Sequence, residues 1–168
     1  MKKRTKRIIF VLVGFLVLTL GFLWAYDATY SMDVIEGTTI NDPSAKNHVL
    51  IASQGSDYKN QVVDEVCGAL KNNDTYIKVI DVTTIEEENA TDYDAVIILH
   101  TWEIWEPQAD AAQFIAQQTD LSHFVVHATS GSGDEIIEGV DGISGASVLH
   151  DAEAVAEQIV ERTKAILE

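Results

Sequence analysis

The first apolar positions form one unbroken run: residues 8–26 (IIFVLVGFLVLTLGFLWAY) carry no charge. As a helix rising 1.5 Å per residue the run spans about 28 Å, close to the ~30 Å hydrocarbon core of a bilayer. Trp24 and Tyr26 stand at its far boundary, where amphipathic rings prefer to sit. A cleaved signal peptide is the competing reading. The run is longer than the roughly 7–15 apolar residues of such a peptide, and the boundary LWAYDATYSM offers no clear small-x-small site. The pattern predicts a single transmembrane anchor over residues 8–26, preceded by a basic tail over 1–7. Residues 27–47 show no sustained periodicity, end in the turn-rich NDPSAKN and read as a stalk.

From His48 the pattern alternates between strand and helix. HVLIAS (48–53) is a short apolar run of the kind buried on both faces of a parallel strand. Residues 58–70 put Val62, Val63, Val66, Cys67 and Leu70 at helical spacing, with Lys59, Asp64 and Glu65 elsewhere on the helix. YIKVIDV (76–82) alternates as a more exposed strand and is expected at an edge. AVIIL (95–99) and FVVHA (124–128) read as central strands, residues 108–118 and 151–167 as helices, and residues 136–143 as a weak last strand. Alternating strands and helices predict a three-layer α/β domain over 48–168, with a doubly wound parallel five-stranded sheet of order 2-1-3-4-5.

Charge narrows the possible partners. The chain has 168 residues with 11 Lys+Arg and 27 Asp+Glu, a net −16. Lys2, Lys3, Arg4, Lys6 and Arg7 precede the apolar run, and no acid occurs before Asp27. The remainder therefore holds 6 basic and 27 acidic residues, a net −21. Phosphate-backbone attraction would be repulsion for such a body, which excludes nucleic acid as a partner. The basic tail belongs on the cytoplasmic side, so the chain after Asp27 is expected to face outward from the cell membrane. A single cysteine excludes a disulfide scaffold, and Cys67, on the apolar stripe, reads as a core residue.

In an open parallel sheet, ligands bind beyond the carboxyl ends of the strands. Three loops converge there: 53–57, 100–107 and 128–134. In these residues the domain resembles the flavodoxin-like family. Ser53, Gln54, Gly55 and Ser56 stand where that family cradles the flavin phosphate. YDAVIILH (93–100) resembles its third strand, and HTWEIWEP (100–107), with Trp102 and Trp105, matches the loop that packs on the isoalloxazine ring. The resemblance implies a flavin mononucleotide (FMN) site that includes Gly131 and Ser132 of the TSGSG loop. Each feature also has a plain structural reading. Residues 53–56 would cap the helix, Trp102 and Trp105 would cover the mouth of the sheet, and the Gly/Ser loop would be a tight turn. Asp57 and Tyr58 depart from the family's Ser/Thr-rich loop, and a carboxylate beside a phosphate is unfavourable.

DGISGAS (141–147) resembles the acceptor sequence D-x-x-(S/T)-G-A-(T/S) of flavin transferases, known in flavin-carrying subunits of the sodium-pumping quinone reductase. That resemblance implies FMN held through a phosphoester on Ser147, a flavin transferase and redox proteins as partners, and electron transfer as the function. Without it, the stretch is a turn leading to the last helix. His123 and His127 are about 13 Å apart along a strand, too far for one metal ion, and His100 and His150 read as solvated loop ends. No nucleophile–base ordering is present, so no hydrolase or transferase is indicated and no metal is expected. Two functions remain: an outward-facing flavin carrier on a membrane anchor, or a cofactor-free interaction module in which Trp102 and Trp105 bind a partner.

Overall fold

The computed structural model describes residues 3–30, 32–72 and 74–168, with the side chains of 26–30 excepted. Lys2 of the basic tail, the side chain of Tyr26 and Ser31 of the stalk lie outside the described residues. The chain divides into two units, Met1–Met32 and Asp33–Glu168.

The first unit is one helix, α1 (Lys3–Tyr30). Its stretch Lys3–Ala25 is long and apolar enough to cross a membrane. Ile8, Phe10, Leu12, Phe15, Leu18, Phe22 and Trp24 are all exposed on it, so the apolar surface runs all the way round, as a membrane span requires. The Thr19 hydroxyl donates to the Phe15 carbonyl at 3.0 Å, which satisfies that polar group inside the helix itself.

The second unit is a mostly parallel α/β sheet. Its strands are β1 (Thr38–Ile40), β2 (Asn47–Ser53), β3 (Thr75–Asp81), β4 (Ala95–Glu103), β5 (Glu106–Pro107), β6 (Phe124–Thr129) and β7 (Asp141–Gly145). The order across the sheet is β1-β3-β2-β4-β6-β7, with β5 paired to β4. The pairs β3–β2, β2–β4, β4–β6 and β6–β7 are parallel, whereas β1–β3 and β4–β5 are antiparallel. The expectation of five strands in an order of 2-1-3-4-5 is thus corrected to a seven-stranded sheet of this order. β3, expected at the edge, is covered by β1. Three residues give too short an alternation to be read as a strand, which is why residues 38–40 passed for stalk. Asn41, at a left-handed φ of 68°, clamps this edge by donating to the carbonyls of Asn72 and Thr75, both at 2.6 Å.

Strand alternation divides the apolar side chains between two cores. Val49, Ile51, Ile77, Val79, Ile97, Leu99 and Val125 pack with helices α2 (Asp57–Leu70) and α4 (Ala152–Leu167). Leu50, Ala52, Val96, Ile98, Phe124 and Val126 pack with α3 (Ala109–Ala116) and the 3₁₀ turn Val82–Glu87. Each fully buried Leu or Ile is worth about 1.5–3 kcal/mol, so the two cores hold the sheet between layers. α2 begins where Ser56 Oγ accepts the Lys59 N–H at 3.2 Å, and Asp57 in its first turn complements the helix dipole.

Candidate functional site

The loop after β2 is tied down group by group. The Gln54 N–H donates to the Leu99 carbonyl at 3.1 Å, and Gln54 Oε1 accepts the Thr101 N–H at 2.5 Å. Gly55 forms a two-way bridge with Asp33: its N–H donates to the Asp33 carbonyl at 2.7 Å, and the Asp33 N–H donates back at 3.0 Å. The approach is so close that a Cβ on Gly55 would lie 2.4 Å from the Asp33 oxygen. Only glycine fits. Two residues further on, the Ile35 N–H donates to Asp81 Oδ2 at 2.9 Å, at the carboxyl end of β3. Residues 33–35 therefore form a strap across the carboxyl ends of β2 and β3. An anion at residues 53–56 would have to displace the Asp33 carbonyl from the Gly55 amide.

Beneath α2 lies a polar cluster built from residues beyond the apolar part of each strand. Lys59 is 0% exposed and its Nζ donates to Thr101 Oγ1 at 2.6 Å. Thr101 Oγ1 meets Thr129 Oγ1 at 3.2 Å. Alongside, Tyr58 Oη lies 3.0 Å from His127 Nε2, and His127 Nδ1 lies 3.0 Å from the Ile143 carbonyl. A carbonyl only accepts, so Nδ1 carries the proton, Nε2 is the acceptor and the Tyr58 hydroxyl donates to it. Burial lowers the Lys59 ammonium to about 8 against the opposing charge of Glu103. Burial also lowers His127 to about 4, with the Ile143 bond opposing and the Lys59 charge adding. His100 falls to about 4 chiefly by burial, and its Nε2 has no hydrogen-bond partner among the described residues. Tyr58 is pushed up to about 12, first by burial and then by Asp151.

β4 continues past the sheet into a hairpin with β5, pairing Trp102 with Pro107 and Glu103 with Glu106. The two turn residues, Ile104 and Trp105, have φ of 48° and 70°. This is the left-handed pair of a type I′ turn, which normally takes Asn-Gly. A β-branched and an indole side chain at these angles store strain, on the order of 1–3 kcal/mol each. Both side chains are bare, Ile104 77% and Trp105 87% exposed. Trp102 is half-buried, its ring 6.3 Å from that of His100.

The last two loops touch. The Ser130 N–H donates to the Gly145 carbonyl at 3.1 Å, and Ser130 Oγ accepts the Gly133 N–H at 2.9 Å. Gly133, at φ 76°, comes close to Gly145 and Ala146. Gly131 and Ser132 are exposed between them. Just past β7 the Val148 N–H donates to the Ala146 carbonyl at 2.8 Å, which makes Ser147 the apex of a three-residue turn and leaves it exposed. At the start of the same stretch Asp141 pairs with Arg162 of α4.

No family model matches the chain, and no curated protein matches it.

The residues singled out from sequence all stand at one end of the sheet: Ser53, Gln54, Gly55 and Ser56 after β2, Trp102 and Trp105 at the end of β4, Gly131 and Ser132 after β6, and Ser147 after β7. Trp102 lies in the strand itself and Trp105 at the turn. His100, read as a solvated loop end, is instead fully buried in β4. Sequence reasoning missed Lys59, Thr101, Tyr58, His127 and Thr129. A signal was present for Lys59, which stands three, four and seven residues before Val62, Val63 and Val66, on the buried stripe. Thr101 and Thr129 continue the inward alternation 97-99-101 and 125-127-129. Among the described residues, no group of three or more His, Cys, Asp or Glu is placed to hold a metal ion.

Proposed function

We propose that the chain is a flavin carrier on a membrane anchor, with FMN held as a phosphoester on Ser147 and its domain outside the cytoplasm, passing electrons between redox partners. One observation carries this reading. Ser147, the hydroxyl that matches the flavin-transferase acceptor position, is exposed at a turn apex beyond β7, where an enzyme reaches it. Small residues, Gly145 and Ala146, precede it in the chain, as in the acceptor sequence it resembles. FMN would bring the redox chemistry, and the chain would supply attachment and orientation. The flavodoxin-like reading is supported by the five mutually parallel strands, which follow the order β3-β2-β4-β6-β7, a 2-1-3-4-5 arrangement once the antiparallel β1 and β5 are set aside. The basic tail before the apolar run favours a cytoplasmic N-terminus and hence an outward domain.

The phosphate cradle at residues 53–56 does not fit FMN, because the Gly55 amide already serves the Asp33 carbonyl. Attachment at Ser147 replaces that cradle rather than adding to it. The same strap favours the second reading, a cofactor-free interaction module.

In-gel flavin fluorescence after denaturing electrophoresis separates the two. The full-length chain is co-expressed with a flavin transferase, beside a Ser147→Ala variant. A fluorescent band that is lost in the variant is the expected result. A dark band with a colourless native preparation overturns the carrier and leaves the module.

A further inference from the structure

Six large apolar side chains are exposed in the described part of the second unit: Val34, Ile104, Trp105, Ile136, Val148 and Leu149. Five of them stand at one end. Val34 lies on the strap between Asp33, paired to Gly55 beyond β2, and Ile35, paired to Asp81 at the end of β3. Ile104 and Trp105 form the tip of the hairpin that prolongs β4. Val148 and Leu149 follow Ser147 beyond β7. Exposed apolar residues scattered over a surface need no account, but a set confined to one end of a sheet does. Two of the five are also held at backbone angles that their own side chains disfavour, so the tip keeps Ile104 and Trp105 outward at a cost to the fold.

Asp33 comes eight residues after Ala25, the end of the stretch apolar enough to cross a membrane; the helix continues to Tyr30 and three further residues follow, a reach of about 18 Å at most. The chain thus enters the second unit from the anchor at the carboxyl end of β2, next to β4 and its hairpin. We propose that the apolar rim of Val34, Ile104, Trp105, Val148 and Leu149 docks on the bilayer that holds α1. The proposal rests on the membrane-anchored part of the preceding reading and not on the flavin. The lipid chemistry is specific. Glu103 and Glu106 face each other directly behind the tip, and the residues after the basic tail carry −21, so an anionic surface repels this end. Choline and ethanolamine head groups offer cations to these carboxylates and to the indole face of Trp105. The occupant is a zwitterionic lipid surface, with Trp105 at head-group depth, where indoles concentrate.

The chain has three tryptophans, so Trp24→Phe with Trp102→Phe leaves Trp105 as the reporter. The full-length reporter is reconstituted in phosphatidylcholine vesicles, with and without bromine on the acyl chains, and in vesicles containing phosphatidylglycerol. Expected are loss of Trp105 emission in the brominated vesicles, protection from the neutral quencher acrylamide, and weaker protection in the anionic vesicles. Adding Val34→Ser, Ile104→Ser and Leu149→Ser restores quenching by acrylamide. Should Trp102→Phe fail to fold, the difference between Trp24→Phe and Trp24→Phe/Trp105→Phe gives the same signal. Flotation separates the two readings. A chain that does not float with vesicles overturns the anchor and the docking together. A chain that floats while Trp105 stays open to acrylamide and blind to bromine overturns the docking alone, and the rim then belongs to a protein partner.

Discussion

Lys59 is a cation sealed beneath α2, and its neighbourhood sets how stability depends on pH. Its folded value of about 8 lies below the ordinary 10.5, so between those values the unfolded chain binds more protons than the folded one. Stability therefore rises with pH across that window, by up to about 1.4 kcal/mol per unit from this group. Lys59→Met removes the titrating group but keeps the volume. The stability difference between Lys59→Met and the parent, read from urea midpoints, is expected to shift in favour of the parent as pH climbs from 8 to 10.5. The histidines act at the other end of the scale. His100 and His127 are held neutral at about 4 against an ordinary 6.5. Their contribution is complete above pH 6.5 and is lost as pH falls toward 4, again about 1.4 kcal/mol per unit for each. Imidazole resonances that stay in the neutral form at pH 5.5 would accompany this loss. Resonances titrating near 6.5 would mean that neither ring is desolvated.

At the scale of elements, the β4–β5 hairpin holds a conflict between stability and use. Replacing Ile104→Asn together with Trp105→Gly supplies the pair that a type I′ turn prefers, and removes two exposed apolar side chains. The variant is expected to be more stable by about 1–3 kcal/mol in urea unfolding, because strain is relieved and little packing is lost. A destabilised variant would show that the indole packs on the domain. The same hairpin shows what a sequence conceals. Ile-Trp carries no turn signal, so residues 104 and 105 read as loop, and the two-residue β5 has no pattern to detect. β2, β4 and β6 were legible because strands buried on both faces are apolar without interruption. The stripe of α2 was legible from its spacing, but Lys59 on that stripe was set apart because a charged side chain is normally solvated. At the candidate site the sequence indicated which loops meet at the carboxyl ends. It held no sign that Asp33, 22 positions before Gly55, would occupy that glycine's amide, since a single backbone pairing leaves no periodicity.

For the whole molecule, the uneven distribution of charge is the feature on which the proposed placement depends. Five basic residues precede the apolar run that begins at Ile8, whereas the chain after them carries −21. Positive charge flanking a first span is retained on the cytoplasmic side, while acidic residues have little bearing on orientation. The sidedness proposed for the domain thus depends on Lys2, Lys3, Arg4, Lys6 and Arg7 and not on its acidity. Protease added outside intact spheroplasts of a bacterial host is expected to digest residues 33–168 of the full-length chain. Changing all five basic residues to Gln should weaken that orientation and leave a protected fraction, visible as full-length chain after digestion. Complete protection of the unaltered chain, released only on lysis, would place the domain inside. It would also remove the reason to look for electron partners outside the cytoplasm, while the bilayer contact of the apolar rim would remain testable from the inner leaflet. There the outcome changes in a defined way. The anionic lipids of a cytoplasmic surface repel an acidic body, so a domain on that side would dock more weakly at low salt than at high salt, where the Debye length shrinks from about 30 Å at 0.01 M to about 10 Å at 0.1 M.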